Sequence, residues 1–172
     1  MTVMNARIAP TLAMYEQTTQ AFATAYWHWF FLIQPAHLPE RMIGADPKFY
    51  LRAKMGAGSA DLAPFAPEAW AEYERCFTPG TIHASCEDYR AAASVDLEHD
   101  RADREADRRV RCPLLALWGA HGVVERCFQP LDEWRRVADD VSGRALAAGH
   151  YLPEEVPDQL LAELERFFAD EI

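Results

Sequence analysis

The clearest candidate for chemistry in this chain is a histidine near its end. His150 stands in the run from Gly149 to Glu155, after a short apolar segment and before a helix-like pattern that starts at Pro157. A histidine at the tip of a strand, followed by a tight turn, is held by main chain on both sides, and its imidazole can serve as a general base near neutral pH. The alternative is a histidine that only hydrogen-bonds a loop. The strand before His150 and the helix after it favour the general base.

A second group of chemistry-bearing residues lies on a predicted helix near the start of the chain. His28 falls on one stripe of that helix with Ala21, Ala25 and Leu32, and Trp29 is its neighbour. A histidine in such a stripe is more often a core residue whose hydrogen bonds are satisfied. Two adjacent N–H donors that face a dry pocket could instead hold a small anion.

The elements that must position these residues change character along the chain. Residues 11 to about 109 predict helices, and residues 112–172 predict strand, helix, strand and helix. The continuous apolar run Leu114–Trp118 is typical of a strand buried on both faces, and Arg144–Ala148 is a weaker strand. Crossover helices imply parallel pairing. Two parallel strands cannot bury both faces and edges, so we expect the chain to be the back part of a larger α/β fold.

Helix boundaries follow from prolines, glycines and capping residues, such as the cap Asp46 and the first-turn Pro47 before Phe49. The patterns predict one long helix from Leu12 to about Leu32 and a closing helix led by Pro157. Between them we predict a helical turn over Pro39–Met42, helices over Phe49–Met55, Pro67–Phe77, Thr81–Val95 and Pro130–Ala138, and exposed helix or loop over Asp96–Arg109.

Composition excludes several classes of function. A length of 172 residues suits one domain, and the net charge of −10 argues against a nucleic-acid partner, because phosphates need clustered lysines and arginines. The four cysteines lack metal-ligand spacing, so we predict no metal and no cofactor. Met1–Pro10 does not look like a signal peptide, and no apolar run is long enough for a membrane span. We therefore expect a cytoplasmic protein without a membrane partner.

Six motifs occur in order along the chain: PTLAMY at 10–15, AFATAYWHWFF at 21–31, CEDYRA at 86–91, DLEHD at 96–100, LALWGA at 115–120 and GHYLPEE at 149–155. Together they resemble those of the haloacetate (fluoroacetate) dehalogenases, which are α/β-hydrolases. The resemblance runs from about Ile8 to Phe168. It implies an α/β fold that is an incomplete α/β-hydrolase: residues 1–10 would be a remnant of a core strand or loop, 11–109 a helical cap, and 110–172 a β-α-β-α part of the core.

The resemblance also implies a reaction. In that family an aspartate attacks the carbon that bears the halogen, and a histidine then activates water to cleave the resulting ester. By motif position, His28, Trp29 and Tyr89 would hold the departing halide, and His150 would activate the water. The implied partners are a small haloacid substrate, the halide ion and a second copy of the chain in a homodimer through the cap.

The sequence departs from the family in its acids. No Gly-x-Asp-x-Gly or Gly-x-Ser-x-Gly elbow occurs, Arg7 stands where the acid that orients the histidine should be, and Gly119–Gly122 offers no carboxylate either. We therefore expect a truncated frame of a dehalogenase that lacks its nucleophile and is inactive alone. A relic without activity and one half of a split enzyme are the alternatives.

Two other functions stay open. An epoxide hydrolase would use cap tyrosines, such as Tyr26 and Tyr89, to protonate the epoxide oxygen. A binding module without catalysis would use the sheet edge and the apolar helix Leu12–Leu32 to bind another chain. The pair His28–Trp29 suits a halide better than an alkoxide, so we rank the dehalogenase first.

Overall fold

The computed structural model describes residues 2–4, 15, 18–59 and 61–169. The described chain begins with strand β1, Thr2–Met4, whose side chains are not described, and continues with a long helical part. Its helices, α1 to α7, are Gln20–Ala25, Trp27–Leu32, Leu38–Ala45, Pro47–Gly58, Pro67–Cys76, Pro79–Ala92 and Val95–Glu105. The rest alternates strands and helices: β2 Leu114–Gly119, α8 Val123–Cys127, α9 Pro130–Arg135, β3 Val141–Leu146, α10 Leu152–Glu155 and α11 Pro157–Ala169.

Capping residues start two of the helices, at Asp46 as predicted and at Thr78, where a helix end was predicted and the next helix was expected from Thr81. The Asp46 carboxylate accepts the N–H of Phe49 at 3.0 Å, and Pro47 is the first residue of α4. Thr78 caps α6 in the same way before Pro79. Such caps satisfy N–H groups that have no partner within the helix. The predicted end of α4 was wrong, however, because the helix continues through Gly58, and a glycine costs a helix only about 1 kcal/mol.

The single helix predicted over Leu12–Leu32 is also wrong. Two short helices replace it within the described residues, since the chain turns at Tyr26, where ψ is 30°. The Thr19 hydroxyl accepts the N–H of Phe22 and so caps a new helix start. The Tyr26 ring stacks on Phe22 with ring centroids 5.2 Å apart. Residues 12–14, 16 and 17 lie outside the described part of the chain.

The sheet has three parallel strands in the order β1-β2-β3. Strand β2 pairs on one side with β1, Val3 opposite Ala116, and on the other with β3, Leu114 opposite Val141. Parallel pairing of the two later strands is therefore confirmed, while the start of β3 was predicted three residues too late. Gly143 explains the error: at φ +144°, its Cβ would lie 1.9 Å from the Ala116 oxygen, so a residue typical of turns is required inside the strand.

Helices cover both faces of β2. Leu114, Ala116 and Trp118 pack against Trp134 and Ala138 on one face. On the other face, the packed side chains are those of Leu115, Leu117, Leu146, Leu152 and Leu160. All six residues of β2 are buried, as the apolar run predicted. Because each large aliphatic side chain contributes about 1.5–3 kcal/mol when buried, this two-sided layer is the main support for the loops that follow the strands.

Aromatic side chains form the core between the first helices. Phe22 and Trp29 are buried together with Tyr26, Phe30 and Tyr89 around them. A neighbouring cluster joins α2, α3 and α6 through Leu32, Ile43, Ile82 and Cys86. None of the helices in the described segments has both the length and the apolar character needed to cross a bilayer.

Candidate active site

A cavity of about 500 Å³ lies between the helical part and the ends of strands β2 and β3. Its polar lining from the helical part comes from Tyr26, His28, Trp29, Lys54, Ser59 and Tyr89. Its lining from the strand-containing part includes Trp118, His121, His150, Tyr151 and Glu155. In parallel α/β sheets, ligands bind at the carboxyl ends of the strands, and this cavity has that location.

The structure brings the three residues of the predicted halide site together. The His28 and Tyr89 rings are 5.8 Å apart between centroids, and the Trp29 and Tyr89 rings are 5.7 Å apart, both nearly perpendicular. His28 and Trp29 are only 4% and 3% exposed, so donors here face little competing water. Helix α2 supplies the first two residues and α6 supplies Tyr89. Their role in holding a halide stays a prediction.

Two further tyrosines surround this group. Burial raises the pKa of Tyr26 to about 12, with Tyr89 and Cys127 adding to the rise. Burial likewise raises the pKa of Tyr151 to about 12. Both phenols therefore keep their protons at neutral pH and can donate hydrogen bonds into the cavity.

His150, the predicted base, lines the same cavity from a tightly bonded turn. The carboxylate of Glu155 accepts the N–H of Gly149 at 2.7 Å and the N–H of Tyr151 at 3.1 Å. Between them, the N–H of His150 donates to the carbonyl oxygen of Gly58 at 2.7 Å. The loop after β2 is bonded to the segment just before this turn, because His121 donates its N–H to the Ala148 oxygen at 3.0 Å. The sequence singled out this run but assigned no role to Glu155.

The acid that would orient His150 has no counterpart at the loop after β2. The first carboxylate after that loop in the chain is Glu125. It accepts a hydrogen bond from the indole of Trp118, a residue of β2. The other position considered, Arg7 before Ile8, lies outside the described residues. Glu155 itself already accepts two main-chain N–H groups.

Among the polar residues of the cavity that sequence reasoning missed, Lys54 and Ser59 lie near the end of α4. Burial lowers the pKa of the Lys54 ammonium below its ordinary value. The Ser59 hydroxyl group is buried, and among the described residues it has no hydrogen-bond partner. The predicted helix stopped at Met55, so its continuation through Gly58, which brings Ser59 to the cavity, was not expected. Spacing alone gave no signal that Lys54 faces inward.

Another cluster of titratable groups lies away from the cavity. Possible ligand atoms of Glu40, His83 and Glu87 are within 4.8 Å of one another. The Arg90 guanidinium donates to Glu40 at 2.8 Å and to Glu87 at 2.5 Å, so it already supplies the positive charge. We interpret the cluster as an ion-pair network that ties α3 to α6.

Comparison with known proteins gives relatives of two activities. No model of a known protein family matches the chain. A fluoroacetate dehalogenase from Burkholderia sp is 38% identical over 165 residues, which are 95% of this chain and 54% of that protein. A soluble epoxide hydrolase from Corynebacterium sp. (strain C12) is 30% identical over 132 residues, 74% of this chain and 44% of that protein. The chain thus spans about half the length of the curated relatives that it matches.

Solved structures agree on the fold. The crystal structure of a candidate alpha/beta hydrolase from Nostoc sp PCC 7120 is 49% identical and matches 97% of this chain, and 56% of its own, with a TM-score of 0.91. A candidate acyltransferase from Salmonella enterica is 43% identical and matches 99% of this chain, and 56% of its own, with a TM-score of 0.93. The predicted resemblance and fold class are confirmed.

Proposed function

Because this chain belongs to the α/β-hydrolases, we propose that it forms the halide-binding and water-activating part of a hydrolytic haloacetate dehalogenase. The substrate would be a small 2-haloacid and the products its 2-hydroxyacid and a halide ion. The observation that carries the proposal is the convergence of His28, Trp29, Tyr89 and His150 on one cavity. The Burkholderia relative, which is a fluoroacetate dehalogenase, supports the choice of substrate class.

The proposed chemistry divides between two displacements. In the first, a carboxylate attacks the carbon that bears the halogen, and the halide leaves toward the N–H groups of His28 and Trp29 and the O–H of Tyr89. In the second, His150 takes a proton from water, and the resulting hydroxide attacks the ester carbonyl. The bond to the alkoxide oxygen breaks, that oxygen takes the proton back from His150 to give the hydroxyacid, and the carboxylate is restored. Fluoride is strongly hydrated, so three donors fixed in a dry pocket must replace its water.

The proposal assigns no residue of this chain as the nucleophilic carboxylate. No Gly-x-Asp-x-Gly elbow occurs in the 172 residues, so the proposal requires a carboxylate from another polypeptide segment. We therefore expect the 172-residue polypeptide to bind halide but to release no fluoride from fluoroacetate. A truncated frame, an inactive relic and a split enzyme all meet this expectation. Addition of a segment that carries the elbow separates the inactive relic from the other two, since only a competent base-bearing part regains activity.

Two measurements test the proposal. A fluoride electrode should detect no release from fluoroacetate by the polypeptide alone; release that His150→Ala abolishes would show that a nucleophile is present after all. Calorimetric titration with sodium fluoride should show binding that His28→Ala weakens at least about tenfold, the loss expected for one charge-assisted hydrogen bond. Trp27→Phe is the control, because Trp27 directly precedes His28 but is 48% exposed and does not line the cavity. Fluoride binding that His28→Ala leaves unchanged would contradict the halide site.

An epoxide hydrolase is the second candidate, and one observation favours it. Tyr26 and Tyr89 line the same cavity, and the pKa of about 12 at Tyr26 suits a phenol that must stay protonated until an alkoxide forms. The Corynebacterium relative is a soluble epoxide hydrolase. Tyr26→Phe distinguishes the two. It should weaken binding of a small vicinal diol, the product of an epoxide hydrolase, if this candidate is right, and should leave fluoride binding nearly unchanged if the dehalogenase is right.

A homodimer through the helical part is also proposed. Leu38, Met42 and Phe49 are 51%, 59% and 69% exposed, and a second copy could cover them. Sedimentation equilibrium measures the assembly state directly. Met42→Glu and Phe49→Glu together should then give a monomer, and a wild-type monomer would contradict the proposal.

A further inference from the structure

We infer that Glu155 is a positioning residue for His150: its carboxylate fixes the main chain on both sides of the proposed base. This inference deepens the proposed function and rests on it for the role of His150. The two oxygens of one carboxylate accept from the N–H groups of Gly149 and Tyr151, at 2.7 and 3.1 Å. One side chain therefore holds the main chain on both sides of His150.

Glu155 can reach the turn because the turn runs directly into a short helix. In α10, the N–H of Glu155 donates to the Tyr151 oxygen at 2.9 Å, which places the glutamate one helical turn after Tyr151, the residue that follows the histidine. Its carboxylate then folds back toward the amino end of the same segment. A carboxylate accepts hydrogen bonds at both oxygens and has no donor of its own, so it satisfies two N–H groups at once. Glutamine would offer one acceptor and one opposing NH₂ group.

Two glycines allow main chain and side chain to pack closely around these hydrogen bonds. A Cβ at Gly149 would lie 3.0 and 3.2 Å from the two Glu155 oxygens and 2.7 Å from the Gly58 oxygen. A Cβ at Gly119 would lie 1.6 Å from the Gly149 oxygen. The peptide before His150 is therefore enclosed by the end of β2, the end of α4 and the Glu155 carboxylate. The direction in which the imidazole leaves the main chain has little freedom once those contacts are made.

Precise placement matters for a general base, because proton transfer requires hydrogen-bond distance to the attacking water, and small displacements of catalytic groups reduce rates strongly. Glu155 also differs from an acid that orients an imidazole directly. Its oxygens serve the main chain, so its effect on His150 is expected through the backbone. For that reason we call it a positioning residue and not a catalytic one.

The adjacent glutamate supplies a matched control. Glu154 belongs to the same short helix, but its carboxylate accepts a hydrogen bond from the Tyr73 hydroxyl at 2.6 Å, away from the turn. Glu154→Gln and Glu155→Gln therefore make the same chemical change in neighbouring residues. Only the second removes an acceptor from the Gly149–Tyr151 main chain.

The test uses NMR of the 172-residue polypeptide, so it does not depend on turnover. In the wild type, scalar couplings across the hydrogen bonds should connect the Gly149 and Tyr151 nitrogens to the Glu155 carboxylate carbon. In Glu155→Gln, exchange of those two amide protons should quicken about tenfold or more, and the ring carbon–proton signal of His150 should shift or broaden. Glu154→Gln should change neither.

The outcomes are separable. Should Glu155→Gln fail to fold, the wild-type couplings still decide, since their absence contradicts the inference. An unmoved His150 ring signal in a folded Glu155→Gln variant with faster exchange would overturn positioning and leave only a structural hydrogen bond. Loss of the halide site, with the NMR changes as expected, would count against the proposed function and leave the anchoring of residue 150 intact.

Discussion

The main-chain N–H of His150 donates to the carbonyl oxygen of Gly58 at 2.7 Å, and this bond joins the end of α4 to the turn after β3. The two residues are close enough that a Cβ at Gly58 would lie 3.0 Å from the Tyr151 ring and 3.4 Å from the His150 Cβ. The predicted cap and the predicted base therefore not only line the same cavity but are also joined by a main-chain hydrogen bond.

Gly58→Ala should disturb this contact. The added methyl group must push the Tyr151 ring aside, so we expect a loss of unfolding free energy of about 1–3 kcal/mol, as for other overpacked sites. Gly44→Ala is the control, because nothing lies within 4 Å of a Cβ there and α3 should gain up to about 1 kcal/mol. Urea unfolding measures both. Equal effects of the two changes would contradict the close approach at Gly58.

Gly119→Ala should be more severe. Its Cβ would fall 1.6 Å from the Gly149 oxygen and 2.5 Å from the Ala148 oxygen, both main-chain atoms. We expect a loss above about 4 kcal/mol, or a folded protein whose Gly149 and His150 amide signals move. Gly122→Ala, three residues later, meets its nearest atom at 3.1 Å and should cost far less. A Gly119→Ala variant as stable as Gly122→Ala would show that the turn does not pack as described.

Lys54 should give the cavity a pH-dependent preference for anions. Burial lowers the pKa of its ammonium group. As the pH rises, Lys54 therefore loses its positive charge at a lower pH than an ordinary lysine does. Fluoride affinity, measured by calorimetry from pH 7 to 10, should fall over that range by about fivefold, or about 1 kcal/mol. Lys54→Met should start weaker and lose the pH dependence. Lys48→Met is the control, because Lys48 is on the same helix with a side chain that is 73% exposed.

Glu40 should make stability sensitive to acid. Hydrogen bonds from Arg90, at 2.8 and 3.2 Å, lower the pKa of Glu40 to about 2. A carboxyl whose pKa is depressed in the folded state stabilises above its unfolded pKa, and the contribution disappears as pH falls through the folded value. We therefore expect unfolding free energy to decline between about pH 4.5 and pH 2.

The variant Glu40→Gln tests that assignment. It should lose about 1–3 kcal/mol at pH 6, the range for a hydrogen bond to a charged group, and its decline below pH 4.5 should be shallower. Glu87→Gln provides the comparison, since Glu87 contacts the same guanidinium but its side chain is 53% exposed. Urea unfolding at intervals from pH 2 to 6 gives both profiles. Equal acid sensitivity in Glu40→Gln and the wild type would contradict the prediction.

Features that depend on local chemistry were predictable from the sequence. The apolar run Leu114–Trp118 predicted a buried strand, and the cap Asp46 before Pro47 predicted a helix start, because periodicity and capping act over a few residues. The approach of Tyr89 to the His28–Trp29 pair was not predictable from spacing, since Tyr89 lies 60 positions after Trp29; only the resemblance to a known family suggested it.

Features that depend on tertiary contacts were missed. The turn at Tyr26, which divides the predicted helix, has no signal in the apolar pattern, and the early start of β3 follows from close approach of Gly143 to Ala116. Glu155 was visible in the run but gave no hint of its bonds, because a glutamate in a charged turn is usually solvated. Such errors concentrate where distant segments meet, and the cavity is formed by distant segments.

The bond from Gly58 to His150 has a consequence for how this protein can diversify. Its acceptor is a main-chain carbonyl, so exchanges of side chain along α4 leave the bond in place and are free to reshape what the cavity admits. Insertion or deletion of one residue in α4 would instead rotate the helix end by about 100° and present a different carbonyl. We therefore expect divergent relatives to vary the residue types of this helix while they keep its length.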